Sequence, residues 1–116
     1  MTQRVESERF PYLPLEIQLD GLELGLEALI DTGFDGGVAL SPQLVEGVLP
    51  VAFEVYRLAD GSQARAALYR ATVSVGDLPP FAVEITALGD EPIVGRGVVD
   101  RYSVLLYHGR RVVVEL

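Results

Sequence analysis

The residues of this chain best placed to do chemistry are Asp31, Thr32 and Gly33, within the stretch Ala28-Leu29-Ile30-Asp31-Thr32-Gly33-Phe34-Asp35-Gly36-Gly37. An apolar run stops at an acid, and the acid is followed by a hydroxyl residue, a glycine and further turn-forming residues. That pattern places the Asp31 carboxylate half desolvated, where a buried strand becomes a loop. Burial raises the pKa of a carboxyl group, and a second carboxyl group beside it raises one of the pair further, which turns an acid into a proton carrier. One carboxylate alone does not achieve this. Asp20, Asp60, Asp77, Asp90 and Asp100 are not followed by Thr-Gly or Ser-Gly, so the motif occurs once per chain. A paired site then calls for a symmetric homodimer, with Asp31 of each copy on the two-fold axis.

The elements that must carry Asp31 are legible as strands. Leu13, Leu15, Ile17 and Leu19 alternate with Pro14, Glu16, Gln18 and Asp20, and Asp20-Gly21 makes a hairpin turn into Leu22, Leu24, Leu26 and Ala28. Glu16, Glu23 and Glu27 line the solvated face of that hairpin. Val38-Ala39-Leu40 follows as a short strand, and Ser41-Pro42 with Gly47 brackets one or two helical turns. Val51 to Leu58 and Gln63 to Val75 form a second hairpin closed at Asp60-Gly61, with Tyr56 and Tyr69 at its base or in the core. The turn Gly76-Asp77-Leu78-Pro79-Pro80 leads to the alternating Phe81, Val83 and Ile85. Gly89-Asp90-Glu91-Pro92 breaks the chain before Ile93-Val94-Gly95, Val98 to Tyr102 suits a short helix, and Val104 to Leu106 with Arg111 to Leu116 makes a last hairpin around His108-Gly109. Met1 to Arg9 reads as a loose arm. Roughly eight short strands and two short helices give an all-β, barrel-like domain.

Composition narrows the function classes. At 116 residues with 49% hydrophobic content, residues 1–116 form one domain with ample material for a core. No apolar run approaches the roughly 18 residues of a membrane span, and the first nine residues are polar, so the expectation is a cytoplasmic protein without a membrane partner. The absence of Cys excludes thiol catalysis and disulfides, and a single His leaves no ligand set for a transition metal; no metal or cofactor is expected. A net charge of −8 without a basic stripe argues against nucleic acid as partner. His108 reads as a turn residue, and Arg110-Arg111 is too short a basic run for a nucleic-acid patch.

The apolar lead into Asp31-Thr32-Gly33, then Phe34 and Asp35, together with Pro92-Ile93-Val94-Gly95-Arg96-Gly97 further on, resembles the retropepsin-like aspartic proteases, and within them a small prokaryotic group carrying Asp-Thr-Gly-Phe. The resemblance runs from about Leu13 to Leu116. It implies a retropepsin-like closed β-barrel with a flap hairpin, and a homodimeric aspartic endopeptidase acting on extended peptide or protein substrates. Asp31 would be the catalytic acid and base, Thr32 would hydrogen-bond across the dyad, and Gly33 would let substrate and water approach. Phe34, Asp35 and Gly36, with Ala59, Asp60 and Gly61 of the flap tip, would meet the substrate. Gly95 would be required where two backbones pass closely, and Arg96 would brace the loop by pairing with Asp35, although the same two charges also read as unrelated surface residues. Val112-Val113-Val114 would interleave across the dimer. The chain departs from the viral members at Gly36, at Leu13 and at a flap tip without a glycine-rich run. An ordinary surface hairpin in place of the flap, a silent dimeric peptide-binding module and a plain dimerisation domain stay open. A cleft filled over Asp31 would favour the last of these.

Overall fold

The computed structural model describes residues 3–116. The first hairpin is β2 (Tyr12–Leu19) and β3 (Leu22–Ile30), preceded by β1 (Arg4–Ser7). The alternation read from sequence is the burial pattern: Leu13, Leu15, Ile17 and Leu19 are buried and Glu16 and Gln18 exposed. β4 (Val38–Leu40) is buried throughout and runs into a 3-10 helix over Pro42–Val45. Ser41 makes no side-chain cap there; its carbonyl accepts from the Leu44 amide instead.

The second hairpin is β5 (Ala52–Arg57) and the long β6 (Gln63–Val75). β7 (Phe81–Ala87), β8 (Ile93–Val94), the single-turn α1 (Arg96–Val99), β9 (Ser103–Tyr107) and β10 (Arg111–Glu115) complete the chain. α1 starts two residues ahead of the stretch expected from sequence, because the Gly95 carbonyl accepts from both Val98 and Val99 and so opens the turn earlier.

The main sheet runs β2-β3-β8-β4-β7-β6, and β6 returns to pair with β2 through Thr72 to Val75, so these strands close into a barrel. β5 lies outside the ring and, among the described residues, pairs only with the first half of β6. β8 is parallel to β3 and antiparallel to β4, which places Ile93-Val94 between the strand that delivers Asp31 and the strand that leaves its loop. Closure lets both ends of every ring strand bury apolar side chains against one centre. Leu15, Ile17, Val38, Leu40, Val73, Val75, Ile85 and Val94 are all essentially inaccessible there. No helix among the described residues is long and apolar enough to cross a membrane.

The N-terminal segment corrects the reading of a loose arm. Arg4 to Ser7 pairs with β10 in register from Arg4 opposite Glu115 to Ser7 opposite Val112, and Val5 packs on the core; Met1 and Thr2 lie outside the described residues. Within β1 the exposed Arg4 and Glu6 alternate with the half-buried Val5 and the buried Ser7, and because the inward Ser7 is itself polar this one-sided strand does not stand out by composition. β10 therefore lies between β1 and β9 in a separate three-stranded sheet, and its Val112 and Val114 face the core. Deleting residues 1–7 is expected to lower unfolding stability by roughly 1–3 kcal/mol, the burial of Val5 and the cover over β10, where a loose arm would cost nothing. Chemical denaturation of the shortened and full chains measures the difference.

Candidate active site

Asp31 follows the last residue of β3, and the end of that strand is tied on both sides by backbone alone. The Ile30 amide donates to Pro11 O at 3.0 Å, while Leu29 donates to Pro92 O at 2.9 Å and Asp31 to Val94 O at 3.0 Å. Beyond it the chain turns sharply: the Phe34 amide donates back to Asp31 O at 3.1 Å, and the Gly33 amide donates to Asp31 Oδ1 at 2.9 Å. One carboxylate oxygen thus has its direction set by the loop's own backbone. This is the side-chain turn that Asp favours at the start of a loop.

The loop is then laced to the segment before and within α1. Gly95 donates to Gly37 O at 2.8 Å, Arg96 to Phe34 O at 2.9 Å and Gly97 to Gly36 O at 2.9 Å. Such lacing requires that side chains be absent. A Cβ added at Gly95 would lie 2.5 Å from Gly36 O and 2.6 Å from Phe34 O, and one at Gly37 would collide with Val83 and lie 2.6 Å from Glu84 O. Gly95 has an extended backbone, with φ of −101°, so space and not backbone conformation excludes other residues.

The placement of the sequence-derived residues is uneven. Asp31, Thr32 and Gly33 are exposed in the single chain, with no bulky side chain closing over them, so the half-desolvated carboxylate expected from sequence is not found in one copy. The apolar run ends at Ile30, and the turn carries Asp31 out of the barrel instead of leaving it in the wall. Among the described residues the Thr32 hydroxyl has no hydrogen-bond partner. Phe34 is half buried, and its ring lies where a Cβ at Gly36 or Gly95 would be, within 2.5 Å and 2.6 Å of those positions.

Asp35 and Arg96 do not form the expected brace. Both are exposed, and no ion pair within 4.0 Å joins them, whereas Arg9 with Glu27 and Arg4 with Glu6 do pair. Arg96 holds the loop through its amide, which Phe34 O accepts, a role its side-chain chemistry could not announce.

Ala59, Asp60 and Gly61 form the tip of the β5–β6 hairpin and lie in solvent. Gly61 donates to Leu58 O and adopts a φ of +86°, the left-handed region in which a side chain is strained. The Asp60 Oδ1 accepts from both the hydroxyl and the amide of Ser62, at 2.5 Å and 2.9 Å, and these bonds hold its carboxyl below the usual carboxylate range. At the hairpin base the Tyr56 hydroxyl reaches Thr86 on β7 at 3.4 Å, while Tyr69 is part of the core. The outward side of β5 carries Phe53 and Val55 more than half exposed, with the Arg65 guanidinium 4.2 Å above the Phe53 ring.

Tyr12 and Glu91 were not singled out by sequence. The Tyr12 hydroxyl donates to the Glu91 carboxylate at 2.6 Å, which pushes the phenol above its ordinary value, and the Arg9 guanidinium sits 3.8 Å over the ring while bonding Glu27 at 3.1 Å. These contacts join the segments that flank the end of β3. No spacing rule links residues so far apart in the chain, so only their proximity in space reveals them.

A closed all-β ring with an Asp-Thr-Gly loop laced by glycines at its wall, and a hairpin standing outside it, defines a class of fold, and comparison with solved structures gives that class. The chain is similar to the crystal structure of a retropepsin-like aspartic protease from Rickettsia conorii, with a TM-score of 0.68 at 15% identity over 99% of this chain and 92% of that one. It is also similar to the solution structure of the Simian Foamy Virus (mac) protease, with a TM-score of 0.53 at 20% identity over 75% of this chain and 91% of that one. A third similarity, TM-score 0.56 at 17% identity over 80% of this chain, is to a foamy viral protease-reverse transcriptase solved with an RNA/DNA hybrid, of which it spans 12%. No family model and no curated protein matches the sequence. The fold is retropepsin-like.

Gly95→Ala is expected to destabilise the protein by roughly 1–3 kcal/mol or more, since the added carbon meets backbone oxygens that can yield only if the loop moves; thermal unfolding checks this. At the tip of the β5–β6 hairpin, the ordering provided by Asp60 is present above its unfolded pKa and is lost as pH falls through its lowered folded value. Carboxyl-carbon NMR titration should show Asp60 titrating low, and Ser62→Ala should move it back up toward the ordinary range.

Proposed function

We propose that the protein is a homodimeric aspartic endopeptidase in which Asp31 of each copy forms one catalytic pair. The observation that carries this reading is the state of Asp31 in the single chain: held by a rigid backbone lattice, aimed by the Gly33 amide, and left uncovered. The likeness of the fold to that of proteins described as proteases supports it.

In the assembled site two carboxyl groups about 3 Å apart cannot both be ionised, so the pair shares a proton and titrates as a unit. The ionised Asp31 acts as general base on a water held between the two, and the protonated Asp31 of the other copy donates to the scissile carbonyl oxygen. Water adds to the carbonyl carbon, the C–N bond breaks as the nitrogen takes up a proton, and two peptides leave without a covalent enzyme intermediate. The second copy supplies the desolvation that one chain lacks. The Thr32 hydroxyl, without a partner among the described residues, is available to bond across the pair. Asp35, Gly36 and the Phe34 backbone border the peptide, and the β5–β6 hairpin closes over it as a flap, its Ala59-Asp60-Gly61 tip meeting the substrate backbone. The exposed Phe53 and Val55 give that flap apolar surface to bury on closing. The open surface around Asp31 counts against a plain dimerisation domain, whose cleft would be filled.

Purified protein should cleave a mixed library of extended peptides with a bell-shaped pH dependence between about pH 4 and 7. Asp31→Asn should lower the rate by about 10²–10⁴-fold or more while leaving the molecular mass in solution unchanged. Peptide binding without cleavage, indifferent to Asp31→Asn, would replace this reading with the silent peptide-binding module.

A further inference from the structure

Beyond its apolar residues, one side of the β5–β6 hairpin carries charge of a single sign. β6 is one continuous strand, and from Tyr69 to Val75 its odd-numbered residues belong to the core. Side chains two apart share a face of a strand, so Ala67, which also packs on the core, and then Arg65 continue that face past the rim of the ring. The register sets Phe53 opposite Ala67 and Val55 opposite Arg65, and directly opposed residues point the same way. The solvent-facing side of β5 is thus the inner face of the barrel carried beyond its wall. On the flap reading above, it is the side turned to the peptide.

The odd positions of β5 from residue 53 are Phe53, Val55 and Arg57, and those of β6 up to the core are Gln63, Arg65 and Ala67. This face holds two arginines and no acid. Glu54 lies on the other side of β5, where it accepts from the Tyr56 hydroxyl at 3.2 Å. Among the described residues no carboxylate lies within 4.0 Å of the Arg65 guanidinium, although the chain has 17 acidic residues against 9 basic ones. What Arg65 does touch is the Phe53 ring, 4.2 Å from its guanidinium carbon. Stacking of this kind restricts the side chain in advance and leaves the in-plane N–H donors free for an acceptor.

We infer that Arg65 is a specificity-determining residue, selecting peptides with an Asp or Glu side chain on the flap-facing side and an apolar side chain two residues away. This rests on the protease reading and names a substrate class for the same site. In an extended peptide alternate side chains face one way, so the acid meets Arg65 while its apolar neighbour rests on Phe53 or Val55. A carboxylate matches the guanidinium fork with two parallel hydrogen bonds, which an amide of the same shape does not. Arg65 stands about 13 Å along the strand from Gly61, so the acid is chosen away from the scissile bond beside which the tip lies. Two hairpins related by a two-fold axis put the preference on both sides of that bond.

Sequencing the products of a mixed extended-peptide library should show Asp and Glu enriched on both sides of the cleaved bond, outside the two residues that form it. For the best-cut sequence, replacing that acid by its amide should lower kcat/KM about tenfold. The loss should fall on KM, because the contact is remote from the reacting atoms. Arg65→Gln should cut both peptides at the slower rate, and Arg65→Glu should prefer Lys in place of the acid. A merely structural role would not reverse the preference in this way. Arg65 is exposed, so both variants should keep the circular dichroism spectrum and unfolding temperature of the wild type. Wild-type protein that cuts the acid and amide peptides equally, or a preference that survives Arg65→Gln, would overturn the role of Arg65 and leave the protease standing. A protein that cuts no peptide at all would remove both.

Discussion

Three successive backbone amides, those of Gly95, Arg96 and Gly97, reach into the loop that follows Asp31 and satisfy the carbonyls of Gly37, Phe34 and Gly36. Much else in the molecule follows from that contact. Two stretches of chain can approach so closely only where Cβ atoms are missing, and glycines stand at both sides of the junction. The contact also demands that β8 enter between β3 and β4, which brings parallel and antiparallel neighbours together in one sheet and closes the ring. An irregular loop at a protein surface is ordinarily mobile, because water competes for its backbone groups. Here those groups are already paired, so the loop presents its carboxylate in one orientation without spending a side chain to do so.

The same economy explains what a single copy lacks. The bonds that orient Asp31 come from its own loop, from β8 and from the Gly95–Gly97 amides, and none of them removes its carboxylate from water. Orientation is a local property that one chain can complete; desolvation and a second charge require more surface. A duplicated gene could provide both halves in one chain, and a symmetric pair of identical chains provides them with half the sequence.

The hairpin of β5 and β6 belongs to a different regime. β6 is shared, its later half built into the ring and its earlier half pairing β5 outside it. Beyond the ring the Tyr56 hydroxyl reaches Thr86 at the hairpin base, and the Asp60–Ser62 bonds keep the tip compact. Phe53 and Val55 on this element are left more than half exposed, outside the packed ring.

Local pattern alone determined a good part of this protein. Alternation of period two in Leu13 to Ala28 and Phe81 to Thr86 named the strands and their buried faces, since side-chain direction in a strand is fixed by position. The turns at Asp20-Gly21, Asp60-Gly61 and His108-Gly109 were equally legible, because positive φ is affordable to few residues. The break from an apolar strand to Asp31-Thr32-Gly33 marked the candidate site and the end of β3. What only the tertiary structure decided were relations between segments distant in sequence. That Arg4 to Ser7 is a strand depends on β10 being beside it, and that both edges of β10 are paired within the chain depends on β1 and β9 flanking it. The separation of Asp35 from Arg96, the use of the Arg96 amide in place of its guanidinium, and the Tyr12–Glu91 bond are likewise set by how the ring closes. Backbone hydrogen bonds bear no residue signature, and exposure belongs to the folded surface, so neither could be read from the order of residues.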